Sequence, residues 1–320
     1  MALEQSNLFN SHEPEPSFFS IPKKIYIIGN PDRPGVKEAV EDIKRKLSIT
    51  TITEKPNSFK FVKSAKSTDE IYNNLIEVGI KNEDDNELVL GPIGGDGLDS
   101  TIFEIARKNF KNATCLLTNR VGTAKDLYWN VSKNNKGQKP TELYPLEITI
   151  NDTIHAAYNI GSIGTWAEMA EKFNDLPRSS YSYIQLIKNG LIAVKKISNS
   201  KTFTITTNNK TIENVTDLIL TNSQRSGVVF HSKQNDIHDK TAGEHLLTNN
   251  NPTFIGKVIL SAIGLYKFTP NQHFNSNDNI EYYIEGEEMR FQRDGESIEI
   301  PNKANVSVKI AKKPVRVLTI

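Results

Sequence analysis

The sequence predicts two domains, an α/β N-terminal domain with a parallel sheet and a mainly β second domain. Strand-like and helix-like segments alternate from residue 21 to about 140, which is typical of a parallel sheet with helices on its faces. After a polar linker at 133–140, alternating polar and apolar residues predict mostly strands. The length of 320 residues also exceeds what one compact core usually takes.

The predicted domain boundaries follow from these changes of pattern. Residues 1–20, with prolines among polar residues, predict a flexible N-terminal arm. The first domain is predicted to cover 21–141 together with the C-terminal segment 306–320, and the second domain 142–305. The chain is therefore expected to return to its first domain after completing the second.

In the first domain, apolar spacing predicts alternating strands and helices. The predicted strands are 24–29, 87–90 and 113–117, and the predicted helices are 36–47, a helix capped by Thr68 or Asp69 that ends at Val78, and 99–108. Loops rich in Gly or Asn follow the three strands. Because parallel sheets bind ligands at the carboxyl ends of their strands, these three loops are expected to form one site.

The second domain is predicted to contain many short strands and a few helices. Two pairs of residues between strand-like runs, Asn208-Asn209 and Asp294-Gly295, predict tight hairpins. The predicted helices are 167–173, 181–197 and 255–265.

Composition excludes several classes of protein. The single cysteine, Cys115, rules out a disulfide framework and a multi-cysteine zinc site. No apolar run approaches the ~20 residues of a membrane span, so no transmembrane segment is expected. The formal net charge of +1 gives no general affinity for nucleic acid, so no nucleic-acid partner is expected. The polar, acidic N-terminus is not a signal peptide, and a cytoplasmic location is predicted.

The loop Gly94-Gly95-Asp96-Gly97 is the strongest candidate for chemistry. Its glycines let the backbone turn sharply and approach a ligand closely, and the free N–H groups of the next helix favour phosphate. An ionised aspartate beside phosphates needs a cation or a proton, which implies Mg²⁺ binding or general-base work for Asp96. The spacing alone is equally consistent with an ordinary strand-to-helix turn.

Two further segments are weaker candidates. After the third strand, Gly122-Thr123 offers a backbone N–H and a hydroxyl to a phosphate or ribose, and Asp126 can cap the next helix. Asp294-Gly295 is first of all a hairpin turn, which does not exclude a role for the adjacent Glu296 if the tip faces the cleft.

In this order, the motifs resemble the catalytic family of the diacylglycerol kinases, which includes bacterial lipid kinases and sphingosine kinases and is similar to the NAD kinases. That family carries Asn-Pro after its first strand, a Gly-Gly-Asp-Gly-Thr signature, a Gly-Thr-x-Asn-Asp loop and a C-terminal Asp-Gly-Glu hairpin. The matching segments are Asn30-Pro31, Gly94–Leu98, Gly122–Asp126 and Asp294–Glu296, and the resemblance spans residues 24–318.

The resemblance implies an ATP- and Mg²⁺-dependent lipid kinase with a nucleotide-binding first domain and an acceptor-binding second domain. Nucleotide contacts are implied for Asn30, Gly94, Gly95, Gly97, Gly122 and Thr123, and metal or phosphate contacts for Asp96, Asp126 and Glu147. Catalytic roles are implied for Asp96 and for Glu296, the latter as the base that takes the proton of the acceptor hydroxyl. The acceptor would be diacylglycerol or a sphingoid-like lipid at the membrane surface, contacted peripherally.

Two departures from the family pattern keep other functions open. Leu98 replaces the usual Thr and Lys125 replaces the usual Asn. The alternatives are an NAD kinase-like enzyme with a soluble acceptor, or a catalytically impaired nucleotide- or lipid-binding protein of the same fold. The sequence leaves the oligomeric state open, with a homodimer as one alternative.

Three histidines recur at intervals of seven, His231, His238 and His245, with acidic residues between them. A metal site is conceivable, since His and carboxylates are zinc ligands. The polar surroundings favour a solvated loop instead.

Overall fold

A computed structural model describes most of the chain. The described residues are 24–50, 58–65, 67–80, 88–110, 112–118, 126–133, 140–174, 201–226, 230–233, 238, 240–248 and 266–320. The helices predicted at 181–197 and 255–265 lie outside these ranges. Within them, the helices are too short or too polar to cross a bilayer.

The first sheet is mostly parallel and is formed from short apolar runs, as the sequence predicted. Its strands are, in spatial order, β2 (Ser58–Lys63), β1 (Lys24–Gly29), β3 (Leu88–Ile93), β4 (Thr114–Leu117), β19 (Val315–Thr319) and β5 (Thr141–Leu143). β5 alone runs antiparallel to its neighbour. The completely buried pattern of β3 reflects a strand covered on both faces.

Among the described residues, four helices accompany this sheet. They are α1 (Val36–Thr50), α2 (Thr68–Glu77), α3 (Asp96–Asn109) and α4 (Asp126–Ser132). In α1 the apolar positions at helical spacing, Val36, Ala39 and Ile43, are buried against the sheet. The prediction that Thr68 or Asp69 caps α2 is wrong, because the cap is Ser67, whose Oγ accepts the N–H of Glu70 at 3.2 Å.

The second domain is built on a larger, antiparallel sheet. Along the main path its strands are β17 (Glu296–Glu299), β16 (Arg290–Arg293), β8 (Ile160–Gly164), β10 (Lys210–Thr221), β9 (Phe203–Thr207), β15 (Asn279–Gly286), β18 (Lys303–Ile310), β6 (Leu146–Ile150) and β7 (Thr153–Ala157). Two more strands, β13 (Thr241–Thr248) and β14 (Gln272–Asn275), join it through β10, and β11 (Arg225–Ser226) pairs with β12 (Phe230–His231) separately. The predicted fold class is confirmed.

The C-terminal segment predicted for the first domain divides between the two sheets. β18 pairs with β15 and β6 in the second sheet, whereas β19 lies between β4 and β5 in the first. β5, at the predicted boundary of 141, also belongs to the first sheet. The chain thus crosses between the domains after Leu143 and again after Ala311.

Both hairpins predicted from dipeptides form. Asn208 and Asn209 have φ of 49° and 59°, and Asp294 and Gly295 have φ of 46° and 92°. Positive φ at both central residues is the geometry of the tight hairpin turn whose twist matches that of the strands. The second turn joins β16 to β17 and thereby places Glu296 at the tip of the second sheet.

A buried aspartate supports the helix that follows β8. Helix α5 (Thr165–Asn174) begins where the backbone N–H of Trp166 donates to Asp217 Oδ1 at 2.6 Å. Burial raises the pKa of Asp217 to about 8, and the bond from Trp166 opposes that rise. The folded chain therefore keeps a proton on Asp217 in a pH range where the unfolded chain releases it.

Replacing Asp217 with Asn should change how stability depends on pH. Between 3.8 and about 8, only the folded wild type binds the Asp217 proton, so its free energy of unfolding falls as pH rises through that range. Asp217→Asn lacks this term and should gain stability relative to wild type up to about pH 8, with no further gain above it. Chemical denaturation at a series of pH values measures the difference. The exposed Glu299→Gln is the control, and an identical pH slope in Asp217→Asn and wild type would contradict the assignment.

Candidate active site

The first two predicted loops meet at the carboxyl edge of the first sheet. β1 and β3 pair in parallel with Gly29 opposite Ile93, so Asn30 and Gly94 follow side by side. The Asn30 side chain is exposed, and its Oδ1 accepts the N–H of Asp32 at 3.0 Å. Asn30 therefore shapes the first loop beside the glycine loop.

The two leading glycines of the loop meet different surroundings. A Cβ on buried Gly94 would lie 2.7 Å from Leu98 Cδ2 and 2.9 Å from Leu98 Cβ, closer than real contacts allow. A Cβ on Gly95 would meet nothing within 4 Å. Gly95 is the N-cap of α3 with φ −89° and ψ 177°, and its lack of a side chain leaves the first N–H groups of the helix exposed to a ligand.

Two aspartates lie next to each other at the start of α3 and α4. The backbone N–H of Asp126 donates to Asp96 Oδ2 at 3.2 Å, although thirty residues separate the two. Asp126 is buried, and Asp96 is half-buried in the first turn of α3. The structure thus brings together the glycine loop and the end of the third loop. Gly122 and Thr123, the other residues implied there, lie outside the described ranges.

The second domain contacts the glycine loop through Glu296. A Cβ placed on Gly97 would lie 3.5 Å from Glu296 Cγ and 3.7 Å from its Oε1. Thr101 Oγ1, one turn along α3, is 3.5 Å from the same oxygen. Glu296 is nevertheless exposed and forms an ion pair with Arg293 at 3.4 Å. A solvent-accessible carboxylate therefore lies at the first turn of the helix that follows the glycine loop.

The sequence indicated only a hairpin turn at Asp294, but in the structure its carboxyl group accepts four hydrogen bonds. Its Oδ2 accepts Ser100 Oγ at 2.6 Å and the N–H of Tyr158 at 2.8 Å, and its Oδ1 accepts the N–H of Asn159 at 2.8 Å and of Ile160 at 3.0 Å. Burial raises the pKa of Asp294, and these four hydrogen bonds oppose the rise. One buried carboxyl group thereby connects α3, the turn before β8 and the hairpin.

Asn159 continues these contacts to α4. Its side-chain Oδ1 accepts Asn130 Nδ2 of α4 at 2.9 Å and also accepts Ser223 Oγ. Its backbone C=O accepts the N–H of Asn222 at 3.0 Å. The helix that begins at Asp126 is therefore fastened to the second sheet through Asn159.

Comparison with known proteins finds the fold but no relative in sequence. No family model matches the chain, and no curated protein matches it. A solved structure from Bacillus anthracis str. Sterne, described as a "putative diacylglycerol kinase", is similar over 92% of this chain and 95% of its own, with a TM-score of 0.54 and 14% identity. This chain has the diacylglycerol kinase-like fold.

Two nucleotide kinases give lower similarity. Yeast NADH kinase complexed with NADH covers 93% of this chain and 83% of its own, with a TM-score of 0.47 and 11% identity. An NAD kinase from Archaeoglobus fulgidus in complex with ATP covers 92% and 93%, with a TM-score of 0.44 and 8% identity.

Within the diacylglycerol kinase-like fold, Glu147 lies away from the two aspartates. Its carboxylate pairs with Arg107 at 2.9 Å and with Lys309 at 3.5 Å. Arg107 is eleven residues beyond Asp96 on α3, about 16 Å along the helix axis. Arg107 also pairs with Glu104 at 2.8 Å, so Glu147 belongs to an ion-pair group that joins α3 to the second sheet.

Asp96 and Asp126 are the candidate metal-binding pair among the described residues. Among the described residues, no three His, Cys, Asp or Glu side chains are grouped to hold one. Mg²⁺ is commonly bound by one or two carboxylates, with phosphates and water completing its shell. Asp96 and Asp126 fit that requirement, because they are neighbours beside an N-terminus suited to phosphate.

His245 does not lie in the solvated loop that the sequence favoured. His245 is buried on β13, where its Nε2 lies 3.3 Å from both Thr221 Oγ1 and Ser232 Oγ. Burial lowers the pKa of His245 to about 3, so the ring is neutral. His231 belongs to β12. The prediction was wrong for His245 because Thr221 of β10, 24 positions earlier in the sequence, lies beside its ring in the folded chain.

The surroundings of Gly94 and Gly95 predict opposite effects on stability when a small side chain is added. Gly94→Ala should lower the free energy of unfolding by about 1–3 kcal/mol, because its methyl group overlaps Leu98. Gly95→Ser should leave stability unchanged or raise it by about 0.3 kcal/mol, since serine is favoured at an extended N-cap. Chemical denaturation of both variants tests this, and equal losses would contradict the described geometry.

Proposed function

We propose that this protein is an ATP-dependent kinase that transfers the γ-phosphate to a hydroxyl group of a lipid, such as diacylglycerol or a sphingoid-like alcohol. One observation carries the proposal. The second domain presents Glu296 at Gly97, in the first turn of the helix that follows the glycine loop. A candidate base and a candidate phosphate site therefore face one another across the domains.

The glycine loop supplies the phosphate site in this proposal. The open space at Gly95 leaves the first N–H groups of α3 accessible, and the helix dipole adds attraction for an anion. Asn30, in the adjacent loop, would line the nucleotide together with Gly94, Gly97, Gly122 and Thr123. Asp96 and Asp126 would hold Mg²⁺. When bound, the ion supplies neutralisation of charge at the phosphates.

Glu296 is proposed as the base. Its carboxylate is exposed and so remains able to accept the proton of an acceptor hydroxyl, while Arg293 and Thr101 limit where it points. Because phosphoryl transfer depends mostly on positioning and charge neutralisation, one base at a fixed phosphate site is chemically sufficient. The acceptor would approach from the second domain, with the protein contacting the membrane surface peripherally.

The proposal is tested by identifying the product. The protein is incubated with labelled ATP, Mg²⁺ and either a total lipid extract or NAD. Label in a lipid is the expected result. Label in NAD would favour a soluble acceptor, and ATP binding without transfer to any lipid would favour a catalytically impaired binding protein.

Glu296→Gln should separate catalysis from nucleotide binding. Loss of the base should lower kcat by about 10²- to 10⁴-fold, while ATP affinity stays within two-fold because the amide keeps the shape of the carboxylate. Glu299→Gln, at the other end of the same strand, is the matched control. Unchanged turnover in Glu296→Gln would remove Glu296 from the mechanism.

Gly95→Ser should separate stability from nucleotide binding. The serine hydroxyl would accept an N–H at the start of α3 and so compete with phosphate for it. We expect at least ten-fold weaker ATP binding, by isothermal titration, in a protein as stable as wild type. Wild-type affinity in Gly95→Ser would place the phosphates elsewhere.

A further inference from the structure

Four hydrogen bonds, together with one turn of α3 and one turn of α4, form a closed ring around the candidate site. Starting on α3, Asp96 accepts the N–H of Asp126, the first residue of α4. Asn130, one turn later on α4, donates to Asn159. The backbone N–H of Asn159 donates to Asp294, and Asp294 accepts Ser100, one turn after Asp96 on α3. The members of the ring are Asp96, Asp126, Asn130, Asn159, Asp294 and Ser100.

The ring joins the three elements whose relative positions the proposed kinase must keep fixed. α3 carries the phosphate site, α4 begins with one of the two aspartates, and the hairpin ends in Glu296. The two links that cross between the domains, Ser100 to Asp294 and Asn130 to Asn159, are both made by small polar side chains of the first domain. Asp294 and Asn159 lie buried on the second domain.

We propose that Asp294 and Asn159 are positioning residues that together fix the positions of Glu296 and Asp126 relative to the start of α3. This inference rests on the proposed function. Neither side chain needs to touch a substrate, because each acts through a neighbour. Asp294 is two residues before Glu296 in the hairpin, and Asn159 fastens α4 four residues after Asp126.

A closed ring predicts that its two cross-links act cooperatively. Breaking either cross-link opens the ring, and breaking the second then costs little more. Ser100 and Asn130 lie on different helices and are not bonded to each other, so without the ring their effects should be independent. Non-additivity between them is therefore the signature of the ring.

The experiment uses Ser100→Ala, Asn130→Ala and the double variant in the full-length chain. Each single variant should lower kcat for lipid phosphorylation by about 10-fold or more, since small displacements of reacting groups have such effects. The KM for ATP should change by less than two-fold. The double variant should be at most about three-fold slower than the slower single variant, and multiplication of the two effects would overturn the proposal.

A matched control lies on the same helix. Asn109 donates to Ile105 O at 3.1 Å near the far end of α3, outside the ring. Asn109→Ala should keep wild-type kcat and KM. A loss of kcat equal to that of Ser100→Ala would show that α3 responds to any lost side-chain bond, and would overturn the proposal.

Hydrogen exchange provides a readout that does not depend on the reaction. Ser100→Ala should accelerate amide exchange by several-fold in α4, residues 126–132, which Ser100 does not bond. Faster exchange confined to 158–160 and the hairpin would overturn the ring. If exchange spreads to α4 while wild type phosphorylates no acceptor, the ring stands and the kinase proposal fails.

Discussion

The carboxyl group of Asp294 is the contact on which the arrangement of the two domains depends. A buried carboxyl group is costly unless hydrogen-bond partners surround it, and here four donors from α3, the turn before β8 and β8 itself converge on its two oxygens. These four bonds join α3, the turn before β8 and the hairpin. The requirement to satisfy one buried carboxyl group thus holds the hairpin and its Glu296 beside the start of α3.

A second set of contacts holds the other end of α3. Arg107 bridges Glu104 of its own helix and Glu147 of β6, and Tyr158 packs edge-on against Phe103. The helix that opens with the glycine loop is therefore bonded to the second sheet near both of its ends. Contacts with both domains therefore hold its N-terminus, where the ligand is proposed to bind.

Much of the fold was predictable because it is encoded locally. β1 forms from one apolar run, and the two hairpins form where Asn-Asn and Asp-Gly permit positive φ. α3 begins three residues before its predicted start, since Asp96 and Gly97 have low helix propensity but are tolerated in a first turn. The structure brings Asp126 and Glu296 close to the glycine loop, and their roles in a site stay a prediction.

The rest could not be predicted, because it depends on contacts far apart in sequence. Ser100 and Asp294 are separated by 194 positions and Asn159 and Asp294 by 135, so no local pattern marks them as partners. Glu147 was predicted to contact metal or phosphate from its position in the family pattern, but its carboxylate forms an ion pair with Arg107.

The position of β19 in the first sheet has a consequence for biosynthesis. Because that strand lies between β4 and β5, a ribosome must synthesise residues 315–319 before the first sheet can close, and the unpaired edge of β4 must be shielded until then.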